Sequence, residues 1–305
     1  MLWLILSLIT AAIYSFTAFL DNYVADVVFK NKKPQSIKVF NGATYLVFAL
    51  ILAIIFGVSE APIENILLVM LSGIVASISS IPYYIALKEE EATGAAIYYQ
   101  LQPIFYLLAS ILFFGETISG KQIIALIMIM AAPIIIVLSR KRKKSRERQV
   151  KNAGLFVFYI FLLAVSGIIS THGGGDMEYN TLFIYFLFGR GLSDVVLSIA
   201  CPSWRKRFTQ IFKENPIRLI GTVGLNQLLC IIAEFTSRLA LIIGTSAIVS
   251  ALVNSSELIL TFILGIFLTL KWPKFGREHL HRHIIIAHLI GIILCVAGVL
   301  ILELA

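Results

Sequence analysis

Charge is scarce in this chain. Only 14% of its 305 residues are Asp, Glu, Lys or Arg, and 59% are hydrophobic, whereas soluble domains average roughly 25% charged and 45–50% apolar. That shortage excludes a disordered, solvated polymer, which needs charge in place of apolar surface. Cysteine is scarce too. Cys201, Cys230 and Cys295 lie in or beside apolar stretches, without metal-ligand spacing or the density of a disulfide framework. Catalytic signatures are missing: no His-Glu metal motif falls within an apolar run, and there is no serine-nucleophile signature or polar loop long enough to form a domain. The glycines of "STHGGGDMEYN" (170–180) are not followed by the Lys-Ser/Thr of a phosphate loop. The alternating histidines of "HLHRH" (279–283) have no cysteine and a single acid, Glu278, beside them, which is weak evidence for a metal site, and they read as loop. The expectation is a chain that is not an enzyme and uses no cofactor or metal.

What the sequence does have is long apolar runs, and a mean hydropathy of +0.91. Stretches of about 20 apolar residues suit membrane-spanning helices, because lipid offers the backbone no hydrogen-bond partner outside the helix. Spans are expected over 2–22, 36–57, 65–87, 92–114, 121–139, 154–171, 180–200, 217–237, 244–270 and 284–303. The first run has no basic segment before it and no cleavage site after it, and is read as a retained helix.

The placement of the cations sets the orientation. Of the 25 Lys and Arg, 22 fall in the loops after spans 1, 3, 5, 7 and 9, including Lys38 and the eight in "SRKRKKSRERQVK". The opposite loops carry Glu60, Glu64, Glu116, Asp176 and Glu178. The basic loops are therefore expected in the cytoplasm, with both termini outside, in the plasma membrane of a bacterial or archaeal cell. The run at 140–152 reads as a topogenic linker touching membrane lipid headgroups. No aromatic residues interleave with it, so nucleic acid is not an expected partner.

The two sides of that linker align. "ALKEEEATGAAIYYQLQPIFYLL" from Ala86 and "ALIIGTSAIVSALVNSSELILTF" from Ala240 match without a gap at an offset of 154, and "FNG" (40–42) matches "GRG" (189–191) at 149. Each half holds five spans, an odd number, so the halves 1–139 and 153–305 should be inverted relative to one another. The expected fold class is an all-α integral membrane protein of ten transmembrane helices in two inverted five-helix repeats.

"ALKEEEATGAAIYYQLQPIFYLLASILFFGETISGKQIIALIMIMAAPIIIV" closely resembles the EamA repeat of the drug/metabolite transporter superfamily. The features that carry the resemblance are the Ala-Leu-Lys entry, Pro103 on the fourth helix, and Gly115-Glu116 with Glu116 thirteen residues after Pro103. Gln102 stands where the family often has Glu, and the second half has Glu257 at the Pro103 position and Leu270 at that of Glu116. The resemblance implies a ten-helix secondary transporter and leans toward export. On its own chemistry, Gly115 suits a helix C-cap and Glu116 the positive start of the next helix.

A transporter needs polar groups facing a central cavity. Thr222, Asn226, Cys230, Glu234 and Arg238 recur every fourth residue, and Ser246, Ser250, Asn254, Glu257 and Thr261 share one face of the ninth span. Their mates in the first half are small or polar and include Tyr84 and Gln100, with Tyr83, Tyr98 and Tyr99 beside them. Expected substrate contacts are Tyr84, Tyr99, Gln100, Arg190, Asn226, Glu234, Arg238, Asn254 and Glu257. Structural pairing is the competing expectation for Arg190 with Asp194 and for Glu234 with Arg238, each four apart. Glu257 has no partner within a turn of its own helix, and is expected to couple protons or to anchor a cationic group. Asp21 is expected to be solvated at the end of the first span. Spans 5 and 10 are nearly free of polar groups and belong at the periphery, with Ala287 and Gly291 at a close contact.

The mixed charge and aromatics suit a small polar or amphipathic metabolite such as an amino acid. A sugar-phosphate or nucleotide-sugar exchanger is the second reading, needing convergent cations. A non-transporting scaffold or lipid-handling protein is the third. Oligomeric state is not readable from the sequence.

Overall fold

The apolar runs become helices, and no strand occurs among the described residues. A computed structural model of the protein describes residues 2–29, 33–87, 92–114, 119–139, 146–175, 177–272 and 282–303. The order is α1 (Leu2–Tyr23), a π turn (Val24–Val28), a 3-10 turn (Pro34–Ile37), α2 (Lys38–Phe56), α3 (Ile63–Leu87), α4 (Ala92–Tyr99), α5 (Gln102–Phe114) and α6 (Gly120–Ser139). There follow α7 (Arg146–Gly173), α8 (Tyr179–Ala200), α9 (Pro202–Glu214), α10 (Pro216–Ile243), α11 (Ser246–Lys271) and α12 (Arg282–Glu303).

Seven helices, counted over the described residues, are long and apolar enough to cross a membrane: Leu2–Val28, Pro34–Phe56, Ile63–Leu87, Val150–Gly174, Tyr179–Ala200, Pro216–Ile243 and Ile248–Lys271. Their outward faces are apolar, with Ile54, Leu112 of α5 and Ile217 among the most exposed side chains. That is the surface an integral membrane protein presents to lipid.

Three local features depart from the expected spans. The fourth is broken into α4 and α5. Pro103 has no N–H, so the carbonyl of Tyr99 loses its helical donor. The chain tightens there into turns, Gln100 N to Ile97 O and Leu101 N to Tyr98 O. The Nδ2 of Asn254, on α11, donates to the orphaned Tyr99 carbonyl at 2.7 Å. Second, α7 starts at Arg146, inside the expected linker. Third, the basic stretch after α8 forms its own amphipathic helix, α9. Trp204 and Ile211 are buried while Arg205, Lys206 and Lys213 point away, and Arg207 donates to the carbonyl of Phe29 at 2.9 Å. Gly115, Glu116, the 140–145 part of the basic run and the 279–281 histidines lie outside the described residues.

The packing is reciprocal between the halves. α3 packs along α7 and α8, α1 along α10 and α11, α2 along α8, and α6 along α12. Gly42 of α2 meets α8, and Gly191 of α8 meets α2; a Cβ on Gly42 would stand 3.0 Å from the Val195 nitrogen, and one on Gly191 3.0 Å from the Leu46 nitrogen. These are one contact repeated at the offset of 149. α6 and α12 form a peripheral pair, as expected, and its close approach is at Gly298 against the Ala125 carbonyl. Ala287 instead packs with Ala96, Ile97 and Leu258.

The reciprocity has one gap. α3 lies along α8, with Gly73 against the backbone of Phe186 and Arg190, and Gly189 against that of Met70. The mates of that pair at the repeat offsets are α10 and α2, which are not packed along one another over the described residues. One end of the bundle gathers the ends of α1 and α3 with α4, α7, α9 and α10 in a dense cluster that includes Phe29, Ile37, Leu87, Phe156, Ile211 and Leu219. It is called the basic end below. At the opposite, turn end, Ser59 N donates to Thr181 Oγ1 at 2.8 Å, and Ser59 Oγ donates to Glu178.

Candidate functional site

The polar stripes expected from helical spacing converge on one cavity of about 140 Å³ inside the bundle. α10 supplies Gln227, Cys230, Glu234, Ser237 and Arg238, and α11 supplies Ser250, Asn254 and Glu257. α1 adds Tyr14, Thr17 and Asp21, α3 adds Tyr83 and Tyr84, and α8 adds Arg190. The floor toward the basic end is aromatic: Tyr83, Tyr84 and Tyr159 belong both to the wall and to the apolar cluster beneath it. On the other side the lining reaches Leu241 and Val249, close to the turn at 244–245.

Of the nine expected contact residues, Tyr84, Tyr99, Arg190, Glu234, Arg238, Asn254 and Glu257 line this cavity. Gln100 and Asn226 stand one layer behind the wall. Gln100 Nε2 donates to the Asn254 carbonyl at 2.7 Å, and Ser255 Oγ donates to Gln100 Oε1 at 3.3 Å. Asn226 Nδ2 donates to Asp21 Oδ1 at 2.8 Å.

Four charge assignments differ from expectation. Asp21 is not solvated. It is 9% exposed and also accepts from Tyr83 Oη at 2.9 Å and from Tyr84 Oη at 3.4 Å. Tyr83 and Tyr84 of α3 and Asn226 of α10 close around this side of α1, so the Asp21 carboxylate is held away from water. Lys38 is not a loop cation. It opens α2 inside the bundle, 1% exposed, donating at 2.6 Å to both the Ser77 carbonyl and Asp194 Oδ1. Asp194, also bonded by Ser77 Oγ, is thereby taken from Arg190. Arg190 pairs with Glu234 instead and lies 4.5 Å over the Tyr45 ring. That leaves Arg238 without the expected Glu234. It stacks on Phe186 at 3.4 Å and donates to Ser166 Oγ at 3.2 Å. For Arg190 and Arg238 a partner on a facing helix wins over one a turn away, because interhelical groups meet head-on in a water-poor interior.

Glu257 is the exception. It is 3% exposed, it lines the cavity, and its carboxylate has no hydrogen bond or ion pair among the described residues. What touches this residue is Ser15 Oγ of α1, on its backbone carbonyl at 3.1 Å. Tyrosines surround the space it faces. Tyr99 and Tyr159 share a hydrogen bond of 3.0 Å, and the rings of Tyr83 and Tyr159 are 4.9 Å apart. Among the described residues no group of His, Cys, Asp and Glu could hold a metal ion.

The sequence reading passed over Tyr14, Thr17, Tyr45, Tyr106 and Tyr159. A signal existed for the first two, since Tyr14, Thr17 and Asp21 are spaced three and four apart on one helix face.

Comparison with known proteins matches this architecture. A solved crystal structure of a protein superposes over 96% of this chain and 96% of its own, with a TM-score of 0.58 at 17% identity, a likeness of fold alone. No curated protein matches. The model of the EamA-like transporter family matches residues 1–138, the part of the chain that holds the Tyr84 and Tyr99 side of the cavity. Over those residues the chain is similar to the EamA-like transporter family, and its long apolar helices are those of an integral membrane protein.

Proposed function

We propose that the chain is a secondary transporter, and an exporter, of a small polar or amphipathic metabolite, working by alternating access. The observation that carries this is a polar, partly charged cavity enclosed in an apolar bundle and built from both halves of the chain. Burying Arg190, Glu234, Arg238, Asp21 and Glu257 is costly, and in a spanning segment such residues mark a pathway.

In this reading ten spans form two inverted repeats, 1–139 and 153–305, joined by the linker 140–152. The reciprocal Gly42 and Gly191 contacts support it. So does the pairing of Gln100 with Asn254, residues 154 apart that hydrogen-bond each other's strand of chain: equivalent positions of a two-fold repeat meet only on its axis. The basic end faces the cytoplasm, both termini lie outside, and the cavity leans toward the outside. Substrate touches Tyr84, Tyr99, Arg190, Glu234, Arg238, Asn254 and Glu257, while Gln100 and Asn226 position Asn254 and Asp21.

The test is flux. Proteoliposomes containing the purified protein, loaded with a radiolabelled panel of amines, amino acids, sugars and sugar phosphates, should show saturable counterflow of one class above empty liposomes. Flux equal to empty liposomes for every class would overturn the transport reading.

A further inference from the structure

The cavity contains three carboxylates and two guanidinium groups, and they are not equally available. Arg190 is held by Glu234 and by the Tyr45 ring. Arg238 is held by Ser166 and the Phe186 face. Arg190 is thus engaged with one carboxylate, Glu234, and Arg238 with neutral partners. Asp21 is solvated by neutral donors only: Tyr83, Tyr84 and Asn226. Glu257 has neither donor nor cation among the described residues. The imbalance is therefore negative, and the uncompensated group faces the empty space.

An ionised carboxylate removed from water is costly until a cation joins it. Tyr14, Tyr99 and Tyr159 line the same space, and aromatic faces attract ammonium groups through their quadrupole. An amino acid fits this balance poorly. Its ammonium would find Glu257, but its carboxylate would have to draw Arg238 away from Ser166 and the Phe186 face, in a cavity where acids outnumber cations. A phosphorylated substrate fits worse.

We propose that the cavity binds a small organic amine that carries positive charge and no carboxylate, with Glu257 as its counter-ion and the tyrosine faces as its walls. The amine is small. A cavity of roughly 150 Å³ accepts a benzene-sized guest, and this one measures about 140 Å³. A single ring with a short aminoalkyl tail, or a linear diamine of similar bulk, fills it. Asp21 contributes a fixed negative field and orients Tyr83 and Tyr84 without touching the ammonium.

The proposal rests on the transporter reading for the cavity's role but is read by binding, not flux. Purified protein is titrated with matched pairs that differ by one carboxylate: tyramine against tyrosine, cadaverine against lysine, agmatine against arginine. Thermal unfolding and calorimetry give the readouts. At least one amine should raise the melting temperature by about 5 °C at a hundredfold excess over its Kd, and its parent amino acid should bind at least tenfold more weakly. Glu257→Gln should abolish the amine's shift while the variant still unfolds cooperatively, and Glu257→Asp should restore part of it. Equal or tighter binding of the parent amino acid overturns the proposal, as does the absence of binding by all three amines. Retention of the amine in Glu257→Gln overturns it too and leaves Glu257 as a proton-coupling group. An amine that binds but shows no flux overturns the transport reading and leaves this one standing. Flux of tyrosine or lysine without amine binding does the reverse.

Discussion

A buried ion pair is vulnerable to losing one member and tolerant of losing both. Lys38 and Asp194 are each 1% exposed and tie α2 to α8, with Ser77 of α3 as the shared third partner. Lys38→Met leaves Asp194 charged and without its cation, and should cost about 3–5 kcal/mol. Lys38→Met with Asp194→Leu should recover most of that. Denaturant unfolding of the purified single and double variants checks both values. The sequence placed Lys38 among loop cations, because charge counting cannot see that a helix starts inside the bundle. Glu257 was legible for the opposite reason. Its isolation on its own helix is a property of spacing, and the fold supplied no rescuer. Asp21 could have been found from its register with Tyr14 and Thr17, but its position at the end of an apolar run suggested water instead.

At the level of the element, the break between α4 and α5 is a trade between Pro103 and Asn254. Pro103 removes the donor that Tyr99's carbonyl would have had, and Asn254 replaces it from another helix. Asn254→Ala should therefore destabilise the protein by about 1–3 kcal/mol, the cost of a stranded buried carbonyl. Pro103→Ala returns a backbone N–H to that carbonyl, so the double variant should be more stable than Asn254→Ala alone. A double-mutant cycle in thermal or chemical unfolding measures the coupling. Pro103 was visible in the sequence, and so was the Asn254 stripe. Their meeting was not, because a hydrogen bond spanning some 150 residues leaves no local pattern. The same limit hid α9. Trp204, Phe208 and Ile211 recur at helical spacing, but the basic residues between them fit the charge rule for a loop equally well.

Over the described residues the long helices of the two halves pack reciprocally, but α3 lies along α8 without a matching pair. Here α3 lies on α8, while α2 and α10 are not packed along one another. Under alternating access the second state exchanges those roles: α2 closes on α10 and α3 leaves α8. The hydrogen bonds from Ser59 to Thr181 and Glu178 then belong to one state only. In a variant whose native cysteines are replaced, Ser59→Cys with Thr181→Cys should form a disulfide that abolishes counterflow, and reduction should restore it. Full flux in the oxidised protein would show that this contact does not open. The reciprocal contacts of Gly42 and Gly191 were legible as the offset of 149, since a repeated contact leaves its mark in sequence order. The unmatched packing of α3 on α8 was not, because which helices lie together in one conformation is no property of composition.

In the proposed two-fold repeat, Gln100 and Asn254 sit where one half is carried onto the other, and a symmetry operation leaves its own axis in place. Any probe pair planted there would read one distance throughout the cycle and be a silent reporter of turnover. The same fixity separates two quantities that mutagenesis usually mixes. Gln100→Ala weakens both facing states alike, so it should lower the amount of folded protein while leaving the ratio of the two states unchanged.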